Sequence, residues 1–146
     1  GDAEQISFPE ASFDAVTVGF GLRNLVDLDR GFREIVRVLK PGGRFAALEF
    51  SLPRRRWQRS LYSFYSFRLM LPAARRITGT DGPFRYLAES IRVFGPPEGV
   101  AGRLAQAGFV DVAFRPLTLG IAVIYSGHKP EEREFSQSRM TAGEMS

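Results

Sequence analysis

Few side chains in this sequence belong to the types that carry covalent or metal chemistry. With no cysteine there is no disulfide framework, no thiolate zinc site and no cysteine nucleophile. His128 is the sole histidine, so we expect no metal site, and we interpret it as a surface residue after the last strand. Three polar residues stand where apolar runs end. Arg23 and Asn24 follow one such run, and Glu49 lies at the end of the next.

The elements that position these residues begin with two apolar runs, residues 13–20 and 44–50. The first run is rich in β-branched residues and is typical of a strand buried on both faces. Between the runs, apolar residues at helical spacing predict a helix that Asp27 caps, with Lys40 in its last turn. Residues 41–43, Pro-Gly-Gly, should end that helix. Strand, helix and strand in this order predict a βαβ unit of a parallel sheet.

The rest of the chain predicts helices followed by a hairpin. Residues 53–76 are interpreted as one or two helices with Pro72 as a break, residues 84–94 as a helix, and residues 97–107 as another that ends at Gly108. Residues 109–115 and 121–126 should pair as antiparallel strands. A parallel sheet that finishes in an antiparallel strand predicts an α/β, Rossmann-like fold.

Length and composition bound the organisation of the chain. Its 146 residues are 44% hydrophobic and 25% charged, which suits one domain, and the net charge of +4 is a mild excess. Residues 1–129 form the predicted domain, a partial one, and the polar residues 130–146 a disordered tail. The chain begins at Gly1 without an initiator Met, and we expect it to be part of a longer protein.

Several motifs resemble the menaquinone/ubiquinone biosynthesis C-methyltransferases, which use S-adenosylmethionine to methylate prenylated quinol rings. The run Arg37-Val-Leu-Lys-Pro-Gly-Gly-Arg-Phe-Ala-Ala-Leu-Glu-Phe-Ser51 is similar to their signature, although Val-Leu-Lys-Pro-Gly-Gly alone occurs in many class I methyltransferases. Phe20-Gly-Leu-Arg-Asn24 resembles the loop after the family's fourth strand. Arg85-Tyr-Leu-Ala-Glu-Ser-Ile-Arg92 resembles its substrate-side helix. The likeness extends from Gly1 to Lys129.

The resemblance implies a class I methyltransferase fold of which this chain holds the C-terminal half of the sheet, strands four to seven. The Gly-rich cofactor loop and the acidic ribose-binding residue of the family have no counterpart here. The fourth strand should then present an open edge. By the same resemblance, the residues expected to contact S-adenosylmethionine are Asp2, Ala3, Gly19 and Phe20.

The resemblance further implies catalytic roles for Arg23 and Asn24. Methylation of a ring carbon requires the quinol hydroxyl to lose its proton, and a guanidinium near that oxygen stabilises the phenolate. Asn24 could orient the ring or a water that accepts the proton. The alternative for Arg23 is a helix cap or a pair with Asp27 or Asp29. Methyl transfer itself needs alignment rather than a covalent nucleophile.

Substrate-side roles are implied for a larger group of residues. Glu49 could act as a base or substrate anchor, with a structural carboxylate as the alternative. The remaining candidates would belong to the substrate lid, or equally to the core: Tyr62, Tyr65, Arg85, Tyr86, Glu89 and Arg92. The expected substrate is a prenyl quinol, with a naphthoquinol preferred to a benzoquinol.

A basic and aromatic segment follows the second strand, with arginines from Arg54 to Arg76. It favours peripheral association with an anionic membrane surface, and its alternatives are a solvated helix face or a nucleic-acid site. We expect a cytoplasmic enzyme that is peripheral at the membrane and binds no nucleic acid, and the sequence is compatible with a homo-oligomer. Two other functions stay open: a catalytically incomplete basic module that binds membranes or RNA, and a class I methyltransferase for another small molecule.

Overall fold

The structure, a computed structural model, describes residues 4–65, 68, 71–79 and 82–131. Asp2 and Ala3, predicted to contact the cofactor, lie outside the described residues, as does most of the predicted tail.

Five helices and four strands follow one another in the described chain. Strand β1 (Phe13–Gly19) leads through a 3-10 turn (Leu22–Asn24) to helix α1 (Leu28–Val38) and strand β2 (Leu39–Phe50). Three helices come next: α2 (Arg56–Tyr65), α3 (Leu71–Thr78) and α4 (Gly82–Phe94). Helix α5 (Pro97–Ala107) precedes strands β3 (Val110–Leu117) and β4 (Ala122–His128).

The strands form one sheet in the order β1-β2-β4-β3. Strands β1 and β2 are parallel, with Val18 opposite Ala47, as the predicted βαβ unit requires. Strand β4 lies antiparallel between β2 and β3, with Ala47 opposite Tyr125. The predicted α/β fold with a terminal antiparallel strand is therefore confirmed, and so is the predicted hairpin pairing of the last two strands.

The core covers one face of this sheet. Phe32 and Ile35 of α1 and Val100 and Leu104 of α5 are buried against alternate residues of β2 and β4, among them Phe45. Because alternate residues of a strand point to opposite faces, these contacts place both helices on the same side.

The expectation that β1 is buried on both faces is wrong. Val16 and Val18 pack against the core, whereas Ala15, Thr17 and Gly19 on the other face are exposed. Among the residues described, β1 is an edge strand and no element covers its second face. The apolar run was correctly interpreted as a strand, but Ala, Thr and Gly tolerate an open face.

The boundary between α1 and β2 also differs from the prediction. Helix α1 ends at Val38, and Leu39 is already extended with ψ of 139°. Lys40 precedes Pro41, and the residue before a proline avoids the helical region, so the chain leaves the helix before Lys40. Asp27 does cap α1, since its carboxylate accepts from the Arg30 N–H at 2.9 Å.

Pro72 does not lie between helices, because it is the second residue of α3. The first turn of a helix tolerates proline, whose fixed φ suits the helix and whose missing N–H is not needed there. Helices α4 and α5 form as predicted, and Gly108 ends α5 with φ of 111°.

A pair on α1 anchors the segment that precedes β1. Arg37 donates to Glu34 from Nε and Nη2, and to the carbonyls of Phe8 and Ile6, each at 2.9 Å. Glu34 also accepts from the Ile6 N–H at 3.1 Å. The hydrogen bond from Arg37 is the main cause that lowers the pKa of Glu34 to about 2.

Candidate active site

Glu49 is the most deeply buried charged group of the described chain, with its side chain fully shielded from solvent. It lies on the core-facing side of β2, one residue before the strand ends. Its carboxylate accepts from the Phe50 N–H at 2.9 Å and from the Arg23 N–H at 3.3 Å. These contacts leave the carboxylate bound by protein groups rather than open to a ligand.

Arg23 is the charged partner of Glu49. The 3-10 turn after β1 places it beside the end of β2, where its Nη1 forms an ion pair with Glu49 Oε1. The same Nη1 donates to the Phe20 carbonyl at 3.0 Å. Only 12% of the Arg23 side chain is exposed, and its Nε has no hydrogen-bond partner in the described residues. The alternative pairing of Arg23 with Asp27 or Asp29 does not form.

Two phenylalanines surround this ion pair at the carboxyl ends of β1 and β2. The Phe20 and Phe50 rings stack with centroids 4.4 Å apart, and the Arg23 guanidinium lies 5.3 Å from the Phe50 ring centre. Phe20 has a φ of 54°, a conformation that costs a bulky residue energy and is found where the surroundings impose it. The turn that carries Arg23 is therefore held by its neighbours.

The charge of Glu49 also affects Tyr125 on β4. Burial, and to a smaller extent the nearby Glu49 carboxylate, raise the pKa of Tyr125 to about 12. Tyr125 therefore stays a neutral phenol at physiological pH, and the Glu49 charge is balanced by Arg23.

An apolar cavity opens between the 3-10 turn and α4, and we call it the turn cavity. Its volume is about 440 Å³, and Leu22, Leu25 and Val93 form part of its apolar wall. Arg23, Tyr86 and Glu89 bring polar groups to it. Three of the predicted site residues thus share one cavity with an apolar lining.

A second cavity lies on the other side of α4, against α2, and we call it the arginine cavity. It has a volume of about 660 Å³ and is lined by Arg54, Arg59, Arg92 and Tyr62 among others. Arg54 is paired with Glu98, whereas Arg92 forms no ion pair with the described residues. The predicted substrate residues are therefore divided, since Tyr62 and Arg92 face this cavity and Tyr86 faces the turn cavity.

The remaining predicted residues lie outside both cavities. Asn24 is exposed, and its side-chain amide has no partner in the described chain. Arg85 and Tyr65 are exposed on α4 and α2. Gly19 ends β1 beside open space, because a Cβ added there would meet no atom within 4 Å. His128 does not follow the last strand as predicted, because pairing with Val110 and Arg44 makes it the last residue of β4; its Nε2 lies 3.4 Å from Asp111 Oδ2.

The sequence interpretation missed Phe50. This residue is the platform for both Phe20 and Arg23, yet in the sequence it is only the last apolar residue of a strand. Its position directly after Glu49 is the one signal that could have identified it.

Two features of the described residues bear on other functions. No three His, Cys, Asp or Glu side chains there come together as ligands for a metal ion. None of the helices described is both long and apolar enough to cross a bilayer.

The fold, with its strand order β1-β2-β4-β3, is shared with solved class I methyltransferases. A SAM-dependent methyltransferase of Thermotoga maritima, a possible histamine N-methyltransferase, has a TM-score of 0.58 and 16% identity, over 88% of this chain and 62% of that one. Phosphoethanolamine N-methyltransferase 2 of Haemonchus contortus, solved with S-adenosylhomocysteine, has a TM-score of 0.60 and 15% identity, over 89% of this chain and 36% of that one.

Sequence comparison identifies the family. The chain belongs to the ubiE/COQ5 methyltransferase family, whose model matches residues 1–129. It is 46% identical over 126 residues to the ubiquinone/menaquinone biosynthesis C-methyltransferase of Geobacter sulfurreducens. The aligned region covers 86% of this chain and 49% of that protein. The chain thus spans about half the length of the curated relatives it matches.

Proposed function

We propose that this chain provides the substrate side, and part of the cofactor side, of an enzyme that methylates a ring carbon of a demethylated prenyl quinol. The methyl donor is S-adenosylmethionine, and the products are the methylated quinol and S-adenosylhomocysteine. Demethylmenaquinol is the first expected substrate, and the benzoquinol of the ubiquinone pathway is the second. One observation carries the proposal: in a member of this family, Arg23 is fixed by buried Glu49 beside an apolar cavity at the carboxyl ends of two parallel strands.

The residues described at the end of β1 fit a cofactor with a flat aromatic ring. Gly19 leaves open space, and the half-exposed Phe20 offers an aromatic surface beside it. Ligands of open α/β sheets bind in the crevice at the carboxyl ends of the strands, and these two residues lie there. Asp2 and Ala3 are proposed to bind the adenine edge through a carboxylate and a backbone N–H. S-adenosylmethionine supplies an electrophilic methyl group when it is bound.

Arg23 and Asn24 are proposed to prepare the quinol. The ring hydroxyl gives up its proton to a water that Asn24 orients, and the negative charge spreads to the ring carbon. The bound donor would supply its methyl group to that carbon as the methyl–sulfur bond breaks with its electron pair left on sulfur, and the proton of the ring carbon would pass to water as the aromatic ring is restored. Arg23 is proposed to stabilise the negative charge of the phenolate. Because Glu49 neutralises part of the guanidinium charge, the orientation of Arg23 towards the phenolate oxygen contributes to this stabilisation as well as its charge.

Glu49 is proposed to position Arg23 and not to contact the substrate. Its full burial and its three donors leave no face for a ligand. The turn cavity is proposed to receive the quinol, with Tyr86 against the ring and the leucines against the start of the prenyl chain. Tyr62, Tyr65, Arg85 and Arg92 lie outside this cavity and are proposed to act at its approaches.

A prenyl quinol is a lipid, so we propose that the enzyme works on the cytoplasmic side of a membrane and binds it peripherally. A second candidate function, a basic module without catalysis that binds membranes or RNA, is favoured by one observation. Residues 51–80 carry seven arginines and no acidic residue.

Titration of S-adenosylhomocysteine separates these functions. We expect clear binding to the complete gene product and no tight binding to the 146-residue chain, which has no Gly-rich loop ahead of β1. Gly19→Val in the complete protein should weaken binding at least about tenfold, the effect of ~1.4 kcal/mol. Thr17→Val, on the same open face, is the matched control. A complete protein that folds and does not bind the ligand contradicts the methyltransferase proposal.

A further inference from the structure

The outward face of α2 carries three large apolar side chains in a row. Trp57, Leu61 and Phe64 stand at helical spacing and are 56%, 55% and 56% exposed. Residues at i, i+4 and i+7 lie on one side of a helix, and we call these three the aromatic stripe. The opposite side of α2 presents Arg59, Tyr62 and Ser63 to the arginine cavity. The stripe therefore faces away from the body of the protein.

Positive charge lies beside the stripe. Residues 51–80 hold seven arginines and no acidic residue, although Arg54 is paired with Glu98 and Arg59 lies on the opposite side of α2. Arg68 lies with its guanidinium 5.7 Å from the centre of the Phe64 ring, and Arg56 precedes Trp57 and forms no ion pair with the described residues. The stripe is thus apolar and has Arg56 and Arg68 as cationic neighbours.

We propose that α2 lies in the interface of a bilayer with anionic headgroups, the aromatic stripe entering the headgroup and acyl boundary and the arginines binding lipid phosphates. Amphipathic helices with Trp, Leu and Phe on one face and basic residues beside them bind membranes in this way. The inference rests on the proposed function in one respect: an enzyme whose substrate is a prenyl lipid has a reason to lie there. The exposure of the stripe and the charge beside it do not depend on the proposed function.

Two other occupants fit this surface less well. A second copy of the chain would bring like charges together across the contact, which is unfavourable. Single-stranded RNA is bound by aromatic rings on which bases stack, and Leu61 at the centre of the stripe offers no such ring.

Trp57 is the only tryptophan of the chain, so its fluorescence reports on the stripe alone. Vesicles with about one third phosphatidylglycerol should shift its emission to shorter wavelength and sediment with the 146-residue chain. Phosphatidylcholine vesicles should do neither at the same lipid concentration. Brominated acyl chains in the anionic vesicles should quench the emission if the indole enters the bilayer.

Uncharged polar substitutions in the stripe test whether insertion, and not charge alone, holds the protein, because they leave the net charge unchanged. Leu61→Gln/Phe64→Gln should weaken binding to anionic vesicles at least about tenfold, while circular dichroism shows the fold intact because both side chains are exposed. Val26→Gln is the matched control, since that valine is 96% exposed and lies before α1, outside the basic segment. It should bind vesicles as the unsubstituted chain does.

Three results overturn the proposal. One is failure to sediment with anionic vesicles, and another is sedimentation without any change in Trp57 emission, which means adsorption by charge alone. The third is an emission shift without lipid, caused by RNA or by raising the protein concentration, which assigns the stripe to RNA or to a second copy.

A separate experiment measures methyl transfer in the complete protein, with a quinol that has a short, water-soluble tail. If Leu61→Gln/Phe64→Gln loses vesicle binding but keeps this transfer, the membrane surface is supported separately from catalysis.

Discussion

The ion pair between Arg23 and Glu49 connects the turn after β1 to the end of β2, although the two residues are 26 positions apart in the sequence. Taking two charges out of water is costly, and the pair persists because Glu49 also accepts backbone N–H donors and Arg23 also donates to the Phe20 carbonyl. Stability alone does not require such a pair, since apolar side chains of similar volume are often as stable. The role proposed for Glu49, to position Arg23, gives a reason for the pair.

Removal of one partner should therefore cost far more stability than replacement of both. We expect Glu49→Leu to lower the free energy of unfolding by about 3–5 kcal/mol, because it leaves the Arg23 charge buried and unpaired. Arg23→Met/Glu49→Leu should regain most of this loss. Urea unfolding followed by circular dichroism measures both. Equal losses in the single and double variants would show that the two side chains are not coupled.

The sequence predicted where Arg23 and Glu49 lie but not that they form an ion pair. Apolar runs ending at Phe20 and Phe50 predicted that Arg23 and Glu49 stand at the carboxyl ends of neighbouring strands. Whether a carboxylate at that end points outward or into the core depends on which face of β2 is covered, and that is set by α1 and α5. Glu49 shares its face with Phe45 and Ala47, so it is buried.

At the scale of elements, predictions succeeded where local residues alone decide the conformation. Pro97 and Gly108 bound α5 as predicted, and the short link of residues 116–120, which contains proline and glycine, identified the hairpin. Leu39 continues the apolar pattern of α1, yet Pro41 forces the chain to extend before it. The division of Tyr62, Tyr86 and Arg92 between two cavities depends on the rotation of α2 and α4 about their axes. The spacing of residues in the sequence does not determine how each helix is rotated relative to the elements packed beside it.

The Glu34–Arg37 pair predicts a pH dependence for the segment before β1. The pKa of Glu34 is about 2 in the folded chain against an ordinary value of 4.5, so its contribution to stability is fully present above about pH 4.5. It is lost as the pH falls from 4.5 towards 2, where the carboxylate takes up a proton in both states.

Glu34→Gln should remove this part of the pH dependence. The difference in Tm between the unsubstituted chain and the variant should be largest near pH 6 and shrink below pH 4, as measured by circular dichroism. Glu131→Gln is a control, because that exposed carboxylate forms no ion pair with the described residues. A difference that stays constant between pH 6 and pH 3 would contradict the assignment.

At the scale of the whole molecule, the described sheet has one covered face and one open face, and the proposed site lies where β1 and β2 end. Charge is distributed unevenly, with the seven arginines of residues 51–80 concentrated near α2 and α3. We therefore propose that two tasks are separated in the molecule. The strand ends and the turn cavity are proposed to hold the chemistry, and α2 is proposed to contact the membrane that contains the substrate.

The measurement that tests the central proposal most directly is methyl transfer in the complete gene product. With isotope-labelled S-adenosylmethionine and demethylmenaquinol, label should appear on a ring carbon of the quinol. Arg23→Ala should lower kcat at least about 100-fold, the smaller effect of losing a positioned charge-stabilising group. Arg30→Ala, an exposed arginine on α1, should keep a normal rate. Label on no quinol ring despite a folded protein, or a normal rate in Arg23→Ala, would contradict the account.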